Sequence, residues 1–225
     1  MFKNLVNFWK GKDFLQQVLD DFSQMLNDAE EMFNLVCGKL INDQGKANLK
    51  EEIYKIDKRI NSNEKDIRKR VIEHLTVQPS VDTATSLVLM SVVKDAERLG
   101  DYSKNLFEVT ELTNKPIDKE KYSLLFDNID QKISELFKQT KAAFIDSNEE
   151  KAKETWEIKR SIAEQCDTIL KQLANGNYPS NEAVCFTLMA RHFKRLSSHL
   201  TNIATSVILP ITNLDYFDER LDGNK

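Results

Sequence analysis

The sequence is poor in cysteine and in the residues that break helices. Its 225 residues include 3 cysteines, 6 glycines and 4 prolines. Cys37, Cys166 and Cys185 lie far apart and form no C-x-x-C pair, which excludes a disulfide framework or a zinc ribbon. No apolar run approaches the roughly 18 residues of a membrane span, and no apolar core of a signal peptide follows the N-terminus. These absences predict a cytoplasmic protein with reduced thiols.

An excess of either charge is also absent. The 36 acidic and 32 basic residues give a net charge of −4, and no concentrated basic patch of the kind that binds nucleic acid stands out. The sequence has no P-loop, no glycine-rich phosphate cradle and none of the E-x-x-H motifs that a di-iron carboxylate enzyme requires. We therefore predict neither a nucleic-acid partner nor an enzyme.

Helical periodicity, by contrast, runs through most of the sequence. Apolar residues recur every three or four positions, as on the buried face of an amphipathic helix, and the alternation typical of strands is missing. Prolines separate the periodic stretches. The pattern predicts an all-α fold of six long helices, at about 12–42, 46–76, 81–113, 118–146, 148–174 and 181–209.

The prolines that separate these helices recur at matching positions in the two halves of the sequence. Pro79 and Pro179 each precede a third helix, and Pro116 and Pro210 each follow one. The third helices also align without gaps, KDAERLGDYSKNLFE at 94–108 on RHFKRLSSHLTNIAT at 191–205. This predicts two tandem three-helix bundles related by a pseudo-twofold axis, since one such unit is too thin to bury its apolar face well.

The repeat sets the predicted domain boundaries. The first unit covers 1–114, the second covers 115–210, and a loosely held tail covers 211–225. The first unit includes an N-terminal extension in which apolar residues share a helical face with lysines nearby. This extension either folds back on its own domain or binds a membrane surface or a partner. Its apolar residues are Phe2, Leu5, Val6 and Trp9.

The third helices resemble the PhoU family, whose members regulate phosphate uptake and signalling in bacteria. Its pattern, D-L-E-R-I-G-D-H-x-x-N-I-A-E, is close to D-A-E-R-L-G-D-Y-S-K-N-L-F-E at 95–108. The second copy, H-F-K-R-L-S-S-H-L-T-N-I-A-T, keeps Arg195, His199 and Asn202. The second helix is similar to the family's D-x-x-I-D-x-L-E pattern through Asp57, Ile60 and Glu64.

The resemblance implies a metal site, holding iron or zinc, on the first repeat only. Glu97 and Asp101 stand four residues apart and point the same way from a helix, and Asp57 on the neighbouring helix adds a possible ligand. In the second repeat, Lys194 and Ser198 replace the two acids. A lysine at a ligand position repels a cation, so no second site is expected.

A solvated, ion-paired face is the alternative for the same residues. Lys94 can pair with Glu97, and Lys104 with Asp101, each three residues apart on one helix. Gly100 would then allow close approach of two helices, as would its counterpart Ser197. Both interpretations of the carboxylates remain open at the level of the sequence.

Four further residues are predicted to have structural or interaction roles, namely Arg98, Asn105, Arg195 and Asn202. Both asparagines are expected to make hydrogen bonds between helices, and His199 is expected to be an ordinary hydrogen-bonded histidine. The resemblance implies a non-enzymatic regulator that contacts the ATPase of a phosphate ABC transporter or a phosphate-sensing histidine kinase. A homodimer is a possible assembly. The alternatives are a metal-dependent enzyme or metal store, and a plain helical scaffold.

Overall fold

A computed structural model describes residues 13–45, 47–77 and 83–217. In this part of the chain there are seven α-helices and no strand, which confirms the all-α fold class. Among the described residues, no helix has the length and apolar character needed to span a bilayer. The helices are α1 (Asp13–Asn42), α2 (Leu49–Val77), α3 (Thr83–Leu112), α4 (Lys119–Phe126), α5 (Ile129–Ile145), α6 (Glu149–Asn175) and α7 (Ser180–Thr205), followed by a 3₁₀ turn (Ile211–Asn213).

The prediction of a single fourth helix was wrong, because α4 and α5 are separate. Asp127 and Asn128, between them, have left-handed backbones with φ of 39° and 59°. Aspartate and asparagine tolerate this conformation better than most residues. Gln165 donates its amide to the carbonyl oxygen of Phe126 at 2.7 Å, which satisfies a backbone group freed by the break. The apolar period continues across the break, so periodicity alone does not reveal it.

The turn between α5 and α6 also depends on a specific cap. The side chain of Asn148 accepts hydrogen bonds from the backbone amides of Glu150 and Lys151 at 3.0 and 3.1 Å. It thereby satisfies two of the free amides in the first turn of α6. The predicted N-terminal face at 2–9 and the predicted start of the third helix near Pro79 lie outside the described residues.

The seven helices form two similar units that face each other. Helices α1, α2 and α3 pack together, as do α5, α6 and α7, while α1 contacts α5 and α3 contacts α7. Helices α3 and α7 run antiparallel, since Asp95 contacts His199 whereas Leu112, further along α3, contacts Asn181 near the start of α7. Corresponding helices thus meet across the interface, as a pseudo-twofold relation requires.

One apolar core runs through both units. Phe33 of α1 lies 5.8 Å from the ring of Phe137 on α5 and 6.2 Å from that of Phe193 on α7. Phe22 and Phe144 form a second pair between α1 and α5, with ring centroids 4.7 Å apart. We refer to these five phenylalanines as the aromatic seam. Because these rings contact one another across the boundary between the units, the units are expected to fold as one body.

The start of the C-terminal segment is packed, which corrects the prediction of a loose tail for 211–217. Leu214 lies against the core, and Phe217 is buried with its ring 5.2 Å from that of Trp156 on α6. Tyr216, between them, is exposed. Residues 218–225 lie outside the described part of the chain.

Gly100 of α3 lies directly against the side chain of Ile60 on α2. A Cβ atom at this position would come within 2.9 Å of Cδ1 of Ile60, which is itself buried. Real Cβ atoms do not approach other atoms so closely, so the end of the Ile60 side chain would have to move within the core. The glycine therefore allows the close packing that the sequence predicted for it.

We predict opposite effects for alanine at the two glycines inside helices. Gly38→Ala should stabilise the fold by about 0.5–1 kcal/mol, since alanine favours helix over glycine and no atom lies within 4 Å of its new Cβ. Gly100→Ala should destabilise, because overpacking costs about 1–3 kcal/mol. Thermal unfolding measures both variants. Ile60→Val removes the Cδ1 atom, so in that background Gly100→Ala should cost less; an unchanged cost would contradict the clash.

Candidate functional site

The structure brings the predicted metal ligands of α2 and α3 to one face. Lys104 of α3 connects two of them: its Nζ lies 2.8 Å from Oδ1 of Asp57 on α2 and 3.3 Å from Oδ1 of Asp101 on α3. Burial alone would lower the pKa of Lys104, but the hydrogen bond and charge of Asp57, with the charge of Asp101, outweigh it and raise that pKa. Lys104 is therefore a fixed positive charge between the two helices at neutral pH.

Lys94 makes the corresponding connection two to three turns earlier on α3. Its Nζ lies 2.7 Å from Oε2 of Glu97 on the same helix and 3.8 Å from Oε1 of Glu64 on α2. The predicted pairs Lys94–Glu97 and Lys104–Asp101 are thus confirmed. In addition, each lysine reaches a carboxylate on α2, which the helical spacing on α3 did not reveal.

Two arginines complete this face. Arg98 lies with its guanidinium 3.2 Å from Asp101 and 3.8 Å from Glu97. Arg68 lies 3.0 Å from Glu64 on its own helix. We call the eight side chains the α2–α3 charge cluster; they are Asp57, Glu64, Glu97, Asp101, Arg68, Lys94, Arg98 and Lys104.

This arrangement does not fit an iron or zinc ion. Such an ion needs several oxygen, nitrogen or sulfur ligands converging on one point, and within the described ranges no group of three or more His, Cys, Asp or Glu residues could hold one. Ammonium groups lie against the carboxylates of Asp57, Glu97 and Asp101 instead. The metal site that the family resemblance implies stays a prediction, and the side-chain geometry does not support it.

The equivalent position in the second repeat carries a single ion pair. Nζ of Lys194, at the place of Glu97, lies 2.6 Å from Oδ1 of Asp167 on α6. Ser198, at the place of Asp101, donates its hydroxyl to the backbone oxygen of Lys194 at 3.0 Å. In place of the acid pair of the first repeat, this position holds one lysine with one carboxylate.

The predicted interhelical hydrogen bonds of Asn105 and Asn202 are not found. Both residues are half-buried, and neither side-chain amide bonds to another residue within the described part of the chain. Water can reach a half-buried amide, so no protein partner is required. Arg195 is exposed and has no hydrogen bond or ion pair with the described residues, in contrast to its counterpart Arg98.

A second group of polar side chains lies between the repeats. Nδ1 of His199 on α7 is 2.7 Å from Oδ1 of Asp95 on α3. The ring of Tyr102 stacks on His199 with centroids 5.4 Å apart and lies 6.0 Å from the ring of His192. We call Asp95, Tyr102, His192 and His199 the inter-repeat cluster. His199 is hydrogen-bonded, as expected, but its partner comes from the other repeat.

The alignment of the two repeats shows how this cluster could have been found from the sequence. It places His192 at the position of Asp95, and His199 at the position of Tyr102. If α3 and α7 pack antiparallel about a twofold axis, a contact between Asp95 and His199 implies an equivalent contact between His192 and Tyr102. Both contacts are present. Helical spacing within one repeat could not reveal them.

The C-terminal segment adds a carboxylate near this cluster. The side chain of Asp215 is exposed but partly desolvated by its neighbours; this desolvation and the charge of Asp95 raise its pKa, while His199 acts in the opposite direction. The pKa of His192 is lowered, mainly by burial and also by the charge of Arg191. His192 is therefore neutral at pH 7, and Asp215 carries a negative charge that its surroundings disfavour.

The fold defines a class of proteins built from two tandem three-helix bundles with their third helices packed against each other. The family model for the PhoU domain matches residues 22–110 and 127–207, which lie one in each repeat. The chain therefore belongs to the PhoU family. No curated protein matches it in sequence.

Solved structures of the family have the same fold. PhoU from Pseudomonas aeruginosa superposes with a TM-score of 0.76 at 20% identity, over 87% of this chain and 95% of that one. The phosphate transport system regulatory protein PhoU from Streptococcus pneumoniae gives a TM-score of 0.73 at 16% identity, over 91% and 97% of the two chains. The pairing of the two repeats is thus shared at low sequence identity.

We predict that the Asp95–His199 contact stabilises the pairing of the repeats. The two side chains are only 10% and 19% exposed, so removing either leaves the other partner unpaired at a cost of about 1–3 kcal/mol. A double-mutant cycle of Asp95→Ala and His199→Ala, followed by denaturant unfolding, should give a coupling energy of about 1 kcal/mol. Asp167→Ala, which breaks an ion pair whose carboxylate is 51% exposed, should cost less than about 1 kcal/mol. Additive single effects would exclude coupling across the interface.

Asp215→Asn should stabilise the protein at neutral pH and not at acid pH. A carboxyl with a raised folded pKa favours folding below its unfolded pKa of about 3.9, and this contribution is lost as the pH rises through the folded pKa. Because the side chain is exposed, solvent screening limits the gain at pH 7 to a few tenths of a kcal/mol. Thermal unfolding at pH 7 and pH 4 measures the difference. Asparagine tolerates the φ of 69° at this residue, whereas Asp215→Ala should lose stability; equal effects of the two variants would contradict the charge argument.

Proposed function

We propose that this protein is a cytoplasmic regulator of phosphate uptake and phosphate signalling that acts by contact with other proteins. Its proposed partner is the ATPase of a phosphate ABC transporter or a phosphate-sensing histidine kinase, and the protein itself catalyses no reaction. The observation that carries the proposal is the match of the PhoU family model to both repeats. It is supported by the fold shared with a phosphate transport system regulatory protein from Streptococcus pneumoniae.

The packing suits a regulator that offers a rigid surface. The aromatic seam joins the two units through one core, and the inter-repeat cluster fixes α3 against α7. A partner that contacts both repeats would then meet a preformed surface, which lowers the entropic cost of binding. A homodimer is compatible with this proposal and is tested by measuring the molar mass in solution.

The alternative of a metal-dependent enzyme or metal store is not favoured. It requires carboxylates that are free to bind an ion, whereas Glu97, Asp101 and Asp57 are paired with cationic side chains. The remaining alternative, a plain helical scaffold, predicts no phosphate phenotype. Genetics therefore separates the scaffold from the regulator.

Deletion of the gene in the organism that encodes it should raise phosphate uptake in phosphate-rich medium, because a restraint on the transporter is lost. The measurement is uptake of labelled phosphate, with expression of phosphate-starvation genes as a second readout. The wild-type gene supplied on a plasmid should restore both. Unchanged uptake and expression after deletion would contradict the proposal and favour the scaffold.

Binding to the two candidate partners decides between them. The purified protein is titrated with the ATPase of the organism's phosphate transporter and, separately, with the cytoplasmic part of its phosphate-sensing kinase. The ATPase of an unrelated ABC transporter is the matched control. Binding to neither candidate would contradict a mechanism based on protein contact.

A further inference from the structure

We propose that the ammonium groups of Lys94 and Lys104 take the place of a bound metal ion in the first repeat, by neutralising and joining carboxylates of α2 and α3. Each ammonium group joins a carboxylate of α2 to a carboxylate of α3: Lys94 joins Glu64 to Glu97, and Lys104 joins Asp57 to Asp101. The two helices are thus connected by cations that belong to the chain itself, and the packing of the first repeat is independent of metal.

The acids concerned need a cation in the folded state. The side chains of Asp57, Glu64 and Glu97 are only 11%, 9% and 12% exposed. Carboxylates that are so poorly hydrated are costly unless they are paired. Glu97 and Asp101, four residues apart on α3, also repel each other. Counter-charges must therefore be present, whatever supplies them.

The α2–α3 charge cluster supplies them in full. Its four carboxylates face four cationic side chains, Arg68, Lys94, Arg98 and Lys104, so the net charge is zero. A divalent ion that entered would displace the two ammonium groups and leave them without partners. If both lysines lost their charge, two carboxylate charges would remain uncompensated, and a divalent ion carries the matching charge.

The second repeat shows that lysine alone does not create this arrangement. Lys194 also reaches from the third helix of its unit to the neighbouring helix, but it meets the single carboxylate of Asp167. No second acid on α7 shares that lysine, because Ser198 stands at the place of Asp101. The bridging of acid pairs is therefore specific to the first repeat.

The test is the response of thermal stability to metal in Lys94→Gln/Lys104→Gln. Glutamine keeps polar contacts but removes the charge, so the double variant should unfold at a lower temperature than wild type when EDTA is present. Once the ammonium groups are gone, the freed carboxylates can turn toward a shared ion, so titration with Zn²⁺ or Mn²⁺ should then raise its Tm by about 5–10 °C at a metal concentration about 100-fold above the dissociation constant. The Tm of the wild-type protein should not change between EDTA and metal.

Two further variants make the result specific. Lys50→Gln removes a lysine that also pairs across α2 and α3, with Glu111, but meets one exposed carboxylate; this control should gain no response to metal. Asp101→Asn added to the double variant should weaken the response that the double variant gained. If the double variant does not fold, the single variants Lys94→Gln and Lys104→Gln each free one acid pair and should each show a smaller rise.

Either of two results would overturn the proposal. Stoichiometric iron or zinc in the wild-type protein purified without chelator, with a Tm that falls in EDTA, would show that the lysines do not replace the ion. Absence of any metal response in the double and single variants would show that the carboxylates are not placed to share a cation.

Discussion

The structure depends on the burial of apolar surface between the two three-helix units. Phe33 of α1 contacts rings of both α5 and α7, so the first unit contributes to the core of the second. A three-helix unit alone would expose this surface, at roughly 25 cal/mol for each Å². The pairing of the repeats therefore stabilises both units, and polar contacts such as Asp95–His199 form beside this shared core.

Helices α3 and α7, which pack against each other, carry most of the charged and polar side chains described above. Their outer faces, toward α2 and α6, carry ion pairs, and their contact surface carries the inter-repeat cluster. Gly100 brings α3 close to α2, where Lys94 and Lys104 can each reach an acid of the neighbouring helix. Helix α3 therefore has two faces: one stays in the core as far as Val109, and the other carries residues of the α2–α3 charge cluster.

The two repeats share an architecture but differ in electrostatics. Both Arg98 and its counterpart Arg195 are exposed, but only Arg98 is paired with acids of the described residues. Glu97 is paired with Lys94, whereas in the second repeat a lysine, Lys194, stands at the position of Glu97. Burial of a helix face needs only apolar residues at the right period, so the fold tolerates such changes on the solvated side. The proposed regulation through protein contacts would then involve two similar surfaces that carry different charges.

Helical period and local spacing act over a few residues, so the helical class, the repeat and the pairs within one helix could be predicted from the amino-acid sequence alone. Lys94–Glu97 and Lys104–Asp101 are of this kind. Tertiary structure decided the partners that lie on other helices: Glu64 and Asp57 for the two lysines, and Asp95 for His199. It also decided the break at Asp127 and Asn128 and the half-exposed environment of Asn105 and Asn202. Such contacts join residues distant in the chain, and their geometry is fixed only when the aromatic seam packs the helices together.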